Sequence, residues 1–531
     1  MPDEELRGRV RAWIDDDVDS AAASELRELL AAGADAALAE RFRGPLTFGT
    51  AGLRGQLRAG PNGMNRAVVR RAAAGLTAWL RQRAASGERI VVGYDGRHES
   101  AEFARESAAI FAAAGFESRL MPRPLPTPLL AFAVQHLQAA AGVMVTASHN
   151  PRQDNGYKVY AADGAQIAPP ADAEIAAAIR AVGSTREVPL DYQGFLVIDE
   201  AVIDSYVAAV AGLADDGPRD LRVVHTALHG VGTELAVKVF AAAGFAPLIT
   251  VAQQADPDPD FPTVAFPNPE EPGVLDLALA LARDQDADLV LANDPDADRC
   301  AVAVACSGRW RLLSGDDVGV LLADALLRRG IRDTYATTIV SSSMLRVMAE
   351  RHGAGYAETL TGFKWISRAA PDLAYGYEEA LGYAVAPGLV RDKDGISAAL
   401  LVAELAAQLK QQGSSLPQRL DELAAEYGRH ATGQLSIRVA DPADLDRSMS
   451  RLRARPPTEL LGEPVTVTDL RPDADVLRWT WPGGRIVIRP SGTEPKLKAY
   501  LEVVGAAGQP AQLADAQLER LRAQLADVLG S

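Results

Sequence analysis

Cysteine is nearly absent: Cys300 and Cys306 are the only two in 531 residues. Separated by five residues in one apolar segment, they are too few and too local for a disulfide framework or a zinc site, and they suit a reducing interior. Positive charge is also scarce. Lys and Arg number 54 against 70 Asp and Glu, a formal net charge of −16, which argues against a nucleic-acid partner because a phosphate backbone demands a positive field. An anionic ligand would need a locally basic pocket. No run of about 18 apolar residues is present, and the charged stretch Met1 to Asp19 lacks the apolar core of a secretory signal. The expectation is a soluble cytoplasmic protein without a membrane partner. Gly-Lys never occurs, so there is no Walker A loop, and Gly230-Val-Gly232 lacks the third glycine of a dinucleotide fingerprint. Nucleotide-dependent kinases and dehydrogenases therefore lose support.

What the chain does contain is ordinary globular material, 48% hydrophobic and 23% charged, at a length that predicts about three to four domains. Short β-branched runs alternate with Ala/Leu-rich segments of helical length, the pattern of α/β units. Strands are expected at 90–94, 142–146, 221–225, 288–293 and 337–341. Helices are expected at 101–114, 174–182, 233–243, 275–284 and 316–329. Pro/Gly/Asp-rich punctuation marks loops at 215–218, 256–272 and 412–416. Beyond about Thr432, strands separated by turns and a closing helix near 512–529 predict a smaller α+β domain. The three α/β blocks before it are candidate structural repeats, although no fixed sequence period links them.

Polar segments follow directly on apolar strands at three places, where open α/β sheets put ligands. Thr146-Ala-Ser-His-Asn-Pro151 offers Ser148 in a tight loop. It lacks the flanking glycines of a nucleophile elbow, and His149 is badly placed as a base because neighbours on an extended backbone point apart. A serine capping a turn is the plainer use. Asp294-Pro-Asp-Ala-Asp298-Arg299 carries carboxylates at alternate positions, which an extended backbone presents on one side as a cage for a hard divalent cation, Mg²⁺ or Ca²⁺ rather than zinc. A solvated acidic turn is the alternative. Arg299 and Ala305 exclude an EF-hand. Tyr377-Glu-Glu-Ala-Leu-Gly382 pairs two acids suited to sugar hydroxyls, or merely solvated. Arg489-Pro-Ser-Gly-Thr-Glu-Pro-Lys496 reads equally as a phosphate cradle and as a β-turn. Of seven lysines, Lys158, Lys364, Lys393, Lys496 and Lys498 fall in or beside Gly/Asp-rich motifs, as sites wanting a compact or titratable amine would.

A serine, a triple-carboxylate loop, a diacid and a phosphate cradle, in this order, resemble the α-D-phosphohexomutase superfamily, the phosphoglucomutases and phosphomannomutases, over essentially the whole chain. Phe48-Gly-Thr-Ala-Gly-Leu-Arg-Gly55, Thr361-Gly-Phe-Lys-Trp-Ile366 and Glu378-Glu-Ala-Leu-Gly-Tyr383 are similar to its phosphoglucomutase-2-like branch, which includes phosphopentomutases and glucose-1,6-bisphosphate synthases.

The resemblance implies three doubly wound mixed α/β domains and a C-terminal α+β domain around a central cleft, with boundaries at 1–198, 199–315, 316–430 and 431–531. It implies a mutase interconverting hexose 1-phosphate and hexose 6-phosphate, glucose first, with a hexose 1,6-bisphosphate intermediate and Mg²⁺. Ser148 would carry the phosphoryl group and share the metal with Asp294, Asp296 and Asp298. Arg299 would steady the transferring group. Arg54, Lys158 and Lys393 match positions linked to catalysis and proton transfer. Thr361, Gly362, Glu378 and Glu379 would hold the sugar, and Arg489, Ser491, Gly492 and Thr493 the resting phosphate. Phosphopentomutase, phosphomannomutase and glucose-1,6-bisphosphate synthase are the alternatives, with a turnover-deficient sugar-phosphate regulator and a metal-dependent phosphatase further off. A monomer or homodimer is expected. Pro295, Ala380, Leu381 and Tyr383 depart from common family patterns and leave the sugar open.

Overall fold

The runs of buried β-branched residues become the central strands of parallel sheets. Ile90 to Tyr94 are all buried, as a strand covered on both faces requires. The computed structural model describes residues 2–48, 52–83, 87–306, 308–439, 443–491 and 496–529. The chain divides into two compact units, Met1–Leu313 with Gly382–Gln408 and Ser314–Leu381 with Leu409–Ser531.

The first unit holds two sheets. One runs in the order Leu53–Gln56, Asp154–Ala161, Ala141–Val145, Arg89–Tyr94, Glu117–Leu120, Leu196–Val197. Its last four strands are parallel, and Asp154–Ala161 is antiparallel to both neighbours. From Arg89–Tyr94 the chain crosses through the helix Ser100–Ala113 to one side, then returns through Thr127–His136 to the other. Right-handed crossovers place those two helices on opposite faces. The reversal makes a switch point between Arg89–Tyr94 and Ala141–Val145, so the loops after these strands lie side by side.

The second sheet repeats the plan. Its order is Arg309–Leu312, Cys300–Cys306, Leu289–Asn293, Val223–Thr226, Ile249–Thr250, again with a parallel centre and an antiparallel return. In the second unit Thr334–Thr338 is flanked by parallel Tyr356–Thr359 and Leu373–Glu378. The repeats suspected in the sequence are thus repeats of strand order. The C-terminal sheet is antiparallel, in the order His430–Arg438, Lys496–Val504, Gly484–Pro490, Leu477–Trp481, Thr466–Asp469, and the helix Ala511–Leu529 packs on it. Trp479, Ile486, Leu501 and Leu521 lie in the core there.

Two expectations shift. The strand expected at 337–341 runs Thr334–Thr338, because the chain turns where Ser341 N donates to Thr338 O. The N-terminal stretch, given no element from sequence, forms the helices Pro2–Asp16, Ser20–Ala31 and Asp35–Arg41 around Val10, Ile14, Leu26, Leu38 and Phe42. Glu4, Glu5, Asp15, Glu28 and Glu40 are exposed, and Asp19 caps the second helix by accepting from Ala21 N and Ala22 N. Among the described residues, no helix is long and apolar enough to cross a membrane.

Candidate active site

Ser148 follows the strand Ala141–Val145 and Asp294 follows Leu289–Asn293, so each sits at the carboxyl end of its sheet. The structure joins them: Ser148 Oγ donates to Asp294 Oδ2 at 2.8 Å. Ser148 is 2% exposed and has φ +53°, a left-handed conformation uncommon outside glycine. That backbone reverses one sequence-based expectation. Because the loop is not extended, consecutive side chains do not diverge, and His149 Nδ1 lies 3.2 Å from Ser148 Oγ. Burial, reinforced by the charges of Arg299 and Arg54, holds the imidazole well below its ordinary pKa.

The three aspartates converge for a different reason from alternation along an extended chain. Residues 295–297 form a turn, closed by Ala297 N donating to Asp294 O at 2.8 Å with Ala297 at φ +55°. Asp294, Asp296 and Asp298 are fully buried, and one oxygen from each lies within 4.8 Å of the others. Asn293 anchors the base of this turn: its Nδ2 donates to Arg299 O at 2.7 Å, and its Oδ1 is 2.9 Å from His225 Nε2.

Cations surround the carboxylates. Lys158 Nζ reaches Asp296 Oδ2 at 2.7 Å and Asp298 Oδ2 at 3.1 Å, and Lys393 Nζ reaches Asp298 Oδ2 at 3.0 Å. Arg299 N donates to Asp294 Oδ1 at 3.0 Å, with its Nε 3.7 Å from Asp298 Oδ1. Arg54 stands further out, donating to Asn150 Oδ1 at 3.0 Å. Burial pushes Asp298 up, but Lys158, Lys393 and Arg299 together outweigh it and hold the carboxyl well below the usual range. Asp296 goes the other way, raised by burial and by the Asp298 charge. Burial disfavours the Lys158 ammonium, yet the two carboxylates overcome that and raise its pKa. As arranged, Lys158 balances charge and is not poised as a base.

Asp296 Oδ1 and Asp298 Oδ1 are buried without a hydrogen-bond partner. Unsatisfied buried carboxylate oxygens are costly, and an all-oxygen donor set suits a hard divalent cation. The triad therefore fits a metal ion.

The sugar and phosphate candidates lie in the second unit. Glu378 ends its strand and is buried, and Glu379 Oε2 accepts from Ser341 Oγ at 3.1 Å. Burial, then the charges of Glu378 and Asp316, push Glu379 up to about 7. Thr361 keeps a buried hydroxyl without a hydrogen-bond partner, and Gly362 at φ +116° opens the helix Phe363–Ile366 in a conformation that glycine allows. Arg489 Nη2 donates to Tyr500 Oη at 3.2 Å, and Ser491 N donates to Lys496 O at 2.8 Å. Gly492 and Thr493, and part of the motif from Phe48 to Gly55, lie outside the described residues.

Family models for the phosphoglucomutase/phosphomannomutase α/β/α domains I, II and III match residues 45–186, 204–308 and 314–427, and the model for the C-terminal domain matches 435–527. The chain belongs to the α-D-phosphohexomutase superfamily. It is 45% identical over 456 residues to a probable phosphomannomutase of Haemophilus influenzae, covering 83% of this chain and 93% of that one. It is 35% identical over 595 residues to a phosphopentomutase of Mus musculus, covering 100% and 94%. The crystal structure of a candidate phosphomannomutase from Thermus thermophilus superposes with a TM-score of 0.70 at 28% identity, over 91% of this chain and 99% of that one. As a member of this superfamily the chain is an enzyme of the intramolecular phosphotransferase type.

Sequence reasoning missed several members of the site. Thr127, at the start of its helix, donates through Oγ1 to Asp296 Oδ2 at 2.6 Å. Asn150 links Arg54 to the serine loop, donating to Asp154 Oδ2 at 2.8 Å. Buried Tyr160 and Tyr206 donate to Asp392 and Asp394, the two neighbours of Lys393. Only Asn150 and His149 carried a signal, by lying within the serine motif.

Proposed function

We propose that the enzyme interconverts hexose 1-phosphate and hexose 6-phosphate, with glucose as the sugar, through a phosphorylated Ser148. The supporting observation is the buried hydroxyl of Ser148 hydrogen-bonded to Asp294 of a three-carboxylate cluster. In the forward half, the Oγ–P bond of phosphoserine breaks as the free sugar hydroxyl forms a new O–P bond, giving a 1,6-bisphosphate. The hydroxyl proton leaves by way of Lys393, while the Lys158 ammonium keeps its charge beside Asp296 and Asp298, and the departing Ser148 Oγ ends the half-reaction as a hydroxyl, so no net proton is gained or lost. In the return half the other phosphate goes back to Ser148, and the serine proton passes the opposite way to the sugar oxygen. Arg299 offsets negative charge on the transferring group. Mg²⁺ held by Asp294, Asp296, Asp298 and the Ser148 oxygen would supply further positive charge to the phosphoryl oxygens. Glu378, Glu379, Thr361 and Gly362 are the proposed sugar groups, and Arg489 and Ser491, with Gly492 and Thr493, the phosphate groups.

The test is isotopic. Glucose 1,6-bisphosphate labelled with ³²P should transfer its label to wild-type protein and none to Ser148→Ala, which should remain folded and lose turnover. A wild-type chain that never takes up label, or a Ser148→Ala variant that converts glucose 1-phosphate normally, refutes the reading. Full-length similarity to a mouse phosphopentomutase supports a second reading in which ribose 1-phosphate is preferred. Relative kcat/KM for glucose, mannose and ribose 1-phosphates decides between them.

A further inference from the structure

Directly beneath the serine loop lies a buried arginine that no step above uses. Arg97 sits in the turn after the strand Arg89–Tyr94, with its side chain 1% exposed. Its Nη2 donates to Ser148 O and Asn150 O, both at 2.6 Å, and its Nη1 donates to Pro151 O at 2.9 Å and Asp154 O at 3.1 Å. All four acceptors are main-chain carbonyls of one short segment. Asp95 Oδ2 lies 3.3 Å from Arg97 Nε, while Asp95 Oδ1 accepts from Arg97 N at 3.0 Å and Ser100 Oγ at 2.7 Å. The Phe261 ring covers the guanidinium with its centroid 5.1 Å from Cζ. That covering loop comes so near that a Cβ on Gly96 would stand 2.7 Å from Pro257 Cβ. Asn155 Nδ2 ties the same turn to the strand carrying Lys158, donating to His98 O at 2.8 Å and Ser100 Oγ at 3.0 Å.

A buried guanidinium without such acceptors would be expensive. Here the planar fork spreads over four carbonyls, which a lysine, with its hydrogens on a single nitrogen, cannot reproduce. The gathered segment includes Ser148 at φ +53°, and a non-glycine residue holds that conformation only where its surroundings over-determine it.

We propose that Arg97 is the positioning residue of the phosphoryl-carrying loop: by gathering the carbonyls of Ser148, Asn150, Pro151 and Asp154 it holds Ser148 left-handed and fixes Oγ relative to Asp294. The proposal rests on the reading of Ser148 as the phosphoryl carrier. Because Arg97 touches only main-chain atoms of the loop, its loss should slow transfer and spare substrate affinity.

The experiment uses full-length Arg97→Lys and Arg97→Ala, assayed with the sugar phosphate that the wild type turns over fastest. A misplacement of about 1 Å costs on the order of 100-fold in rate. The expected result is a fall in kcat of roughly 10- to 100-fold for Lys and more for Ala, with KM within about threefold. Added guanidinium ion should partly restore the Ala variant. Unchanged kcat, a loss carried entirely in KM, or a loss that follows unfolding in both variants overturns the proposal. The ³²P transfer to wild type separates the two claims. An unlabelled wild type sinks the mutase reading and this proposal with it, whereas a labelled wild type beside a fully active Lys variant sinks the role of Arg97 alone.

Discussion

Replacing Lys158 by methionine leaves an unbranched side chain one atom shorter and removes the positive charge from a fully buried carboxylate cluster. In the native arrangement Nζ stands 2.7 Å from Asp296 Oδ2 and 3.1 Å from Asp298 Oδ2. At an effective dielectric near 20, each contact carries roughly 5–6 kcal/mol of Coulomb attraction, most of it offset by the cost of desolvating the ammonium. What the substitution exposes is the reverse imbalance. Asp298 keeps Lys393 at 3.0 Å, but Asp296 Oδ2 keeps only the Thr127 hydroxyl at 2.6 Å. Breaking a buried pair in this way costs about 3–5 kcal/mol. The first unit has about 340 residues, and at about 2.1 cal/mol/K per residue the loss lowers its melting temperature by about 4–7 °C. The variant also leaves the triad more negative, so a divalent cation should gain affinity and recover much of the loss by mass action. Differential scanning calorimetry of wild type and Lys158→Met in EDTA and in Mg²⁺ measures both effects. A melting temperature unchanged from wild type in EDTA would refute the claim that Lys158 balances the buried carboxylates, and an equal deficit in EDTA and Mg²⁺ would refute the claim that a cation takes its place.

Gly230 has no place in any nucleotide motif, and its neighbour explains it. A Cβ there would stand 2.3 Å from Pro295 Cα and 2.4 Å from Pro295 O, main-chain atoms that can yield only by moving the carboxylate turn. Gly230→Ala should cost about 1–3 kcal/mol and shrink the rise in melting temperature on adding Mg²⁺; an intact rise would show that the turn had not moved. Glu379 titrates near 7, pushed up first by burial and then by Glu378 and Asp316. A folded-state value above the ordinary 4.5 means that its contribution to stability is complete below that pH and is lost as pH rises through about 7. Glu378→Gln removes one like charge, so ¹³C carboxyl titration should place Glu379 lower and the alkaline loss of stability should shrink. A Glu379 titration that stays near 7 would assign the shift to burial and Asp316 and remove Glu378 as a cause.

The sheets were legible because their strands are covered on both faces and read as unbroken apolar runs. Leu289–Asn293 and Ala141–Val145 are buried at every position. The N-terminal helices were not legible, because Asp15, Asp16, Asp17 and Asp19 divide Val10 and Ile14 from Leu26 and leave each apolar period short. The serine, the aspartates and the diacid could be picked out because each follows a strand, but their geometry could not. Alternation predicted convergence of the aspartates on an extended chain. The chain instead turns at Ala297, and the same carboxylates meet for a reason that residue spacing does not encode. His149 is the converse case, excluded by extended-chain geometry and brought to Ser148 by a single left-handed residue.

The residues least visible in the sequence are those whose partners are main chain or lie far along it. Arg97 donates to carbonyls, which every residue possesses, so no side-chain pattern at 148–154 advertises it. Thr127 and Asp296 are 169 positions apart. Topology makes the Arg97 contact unsurprising once the sheet order is known. A switch point sets the loop after Arg89–Tyr94 beside the loop after Ala141–Val145, which places an arginine in the first under the carbonyls of the second. The strand order repeated in the first and second sheets puts Ser148 and Asp294 at equivalent ends of equivalent strands. The site of Ser148 and Asp294 is therefore best understood as two copies of one loop position, specialised into a hydroxyl on one side and carboxylates on the other.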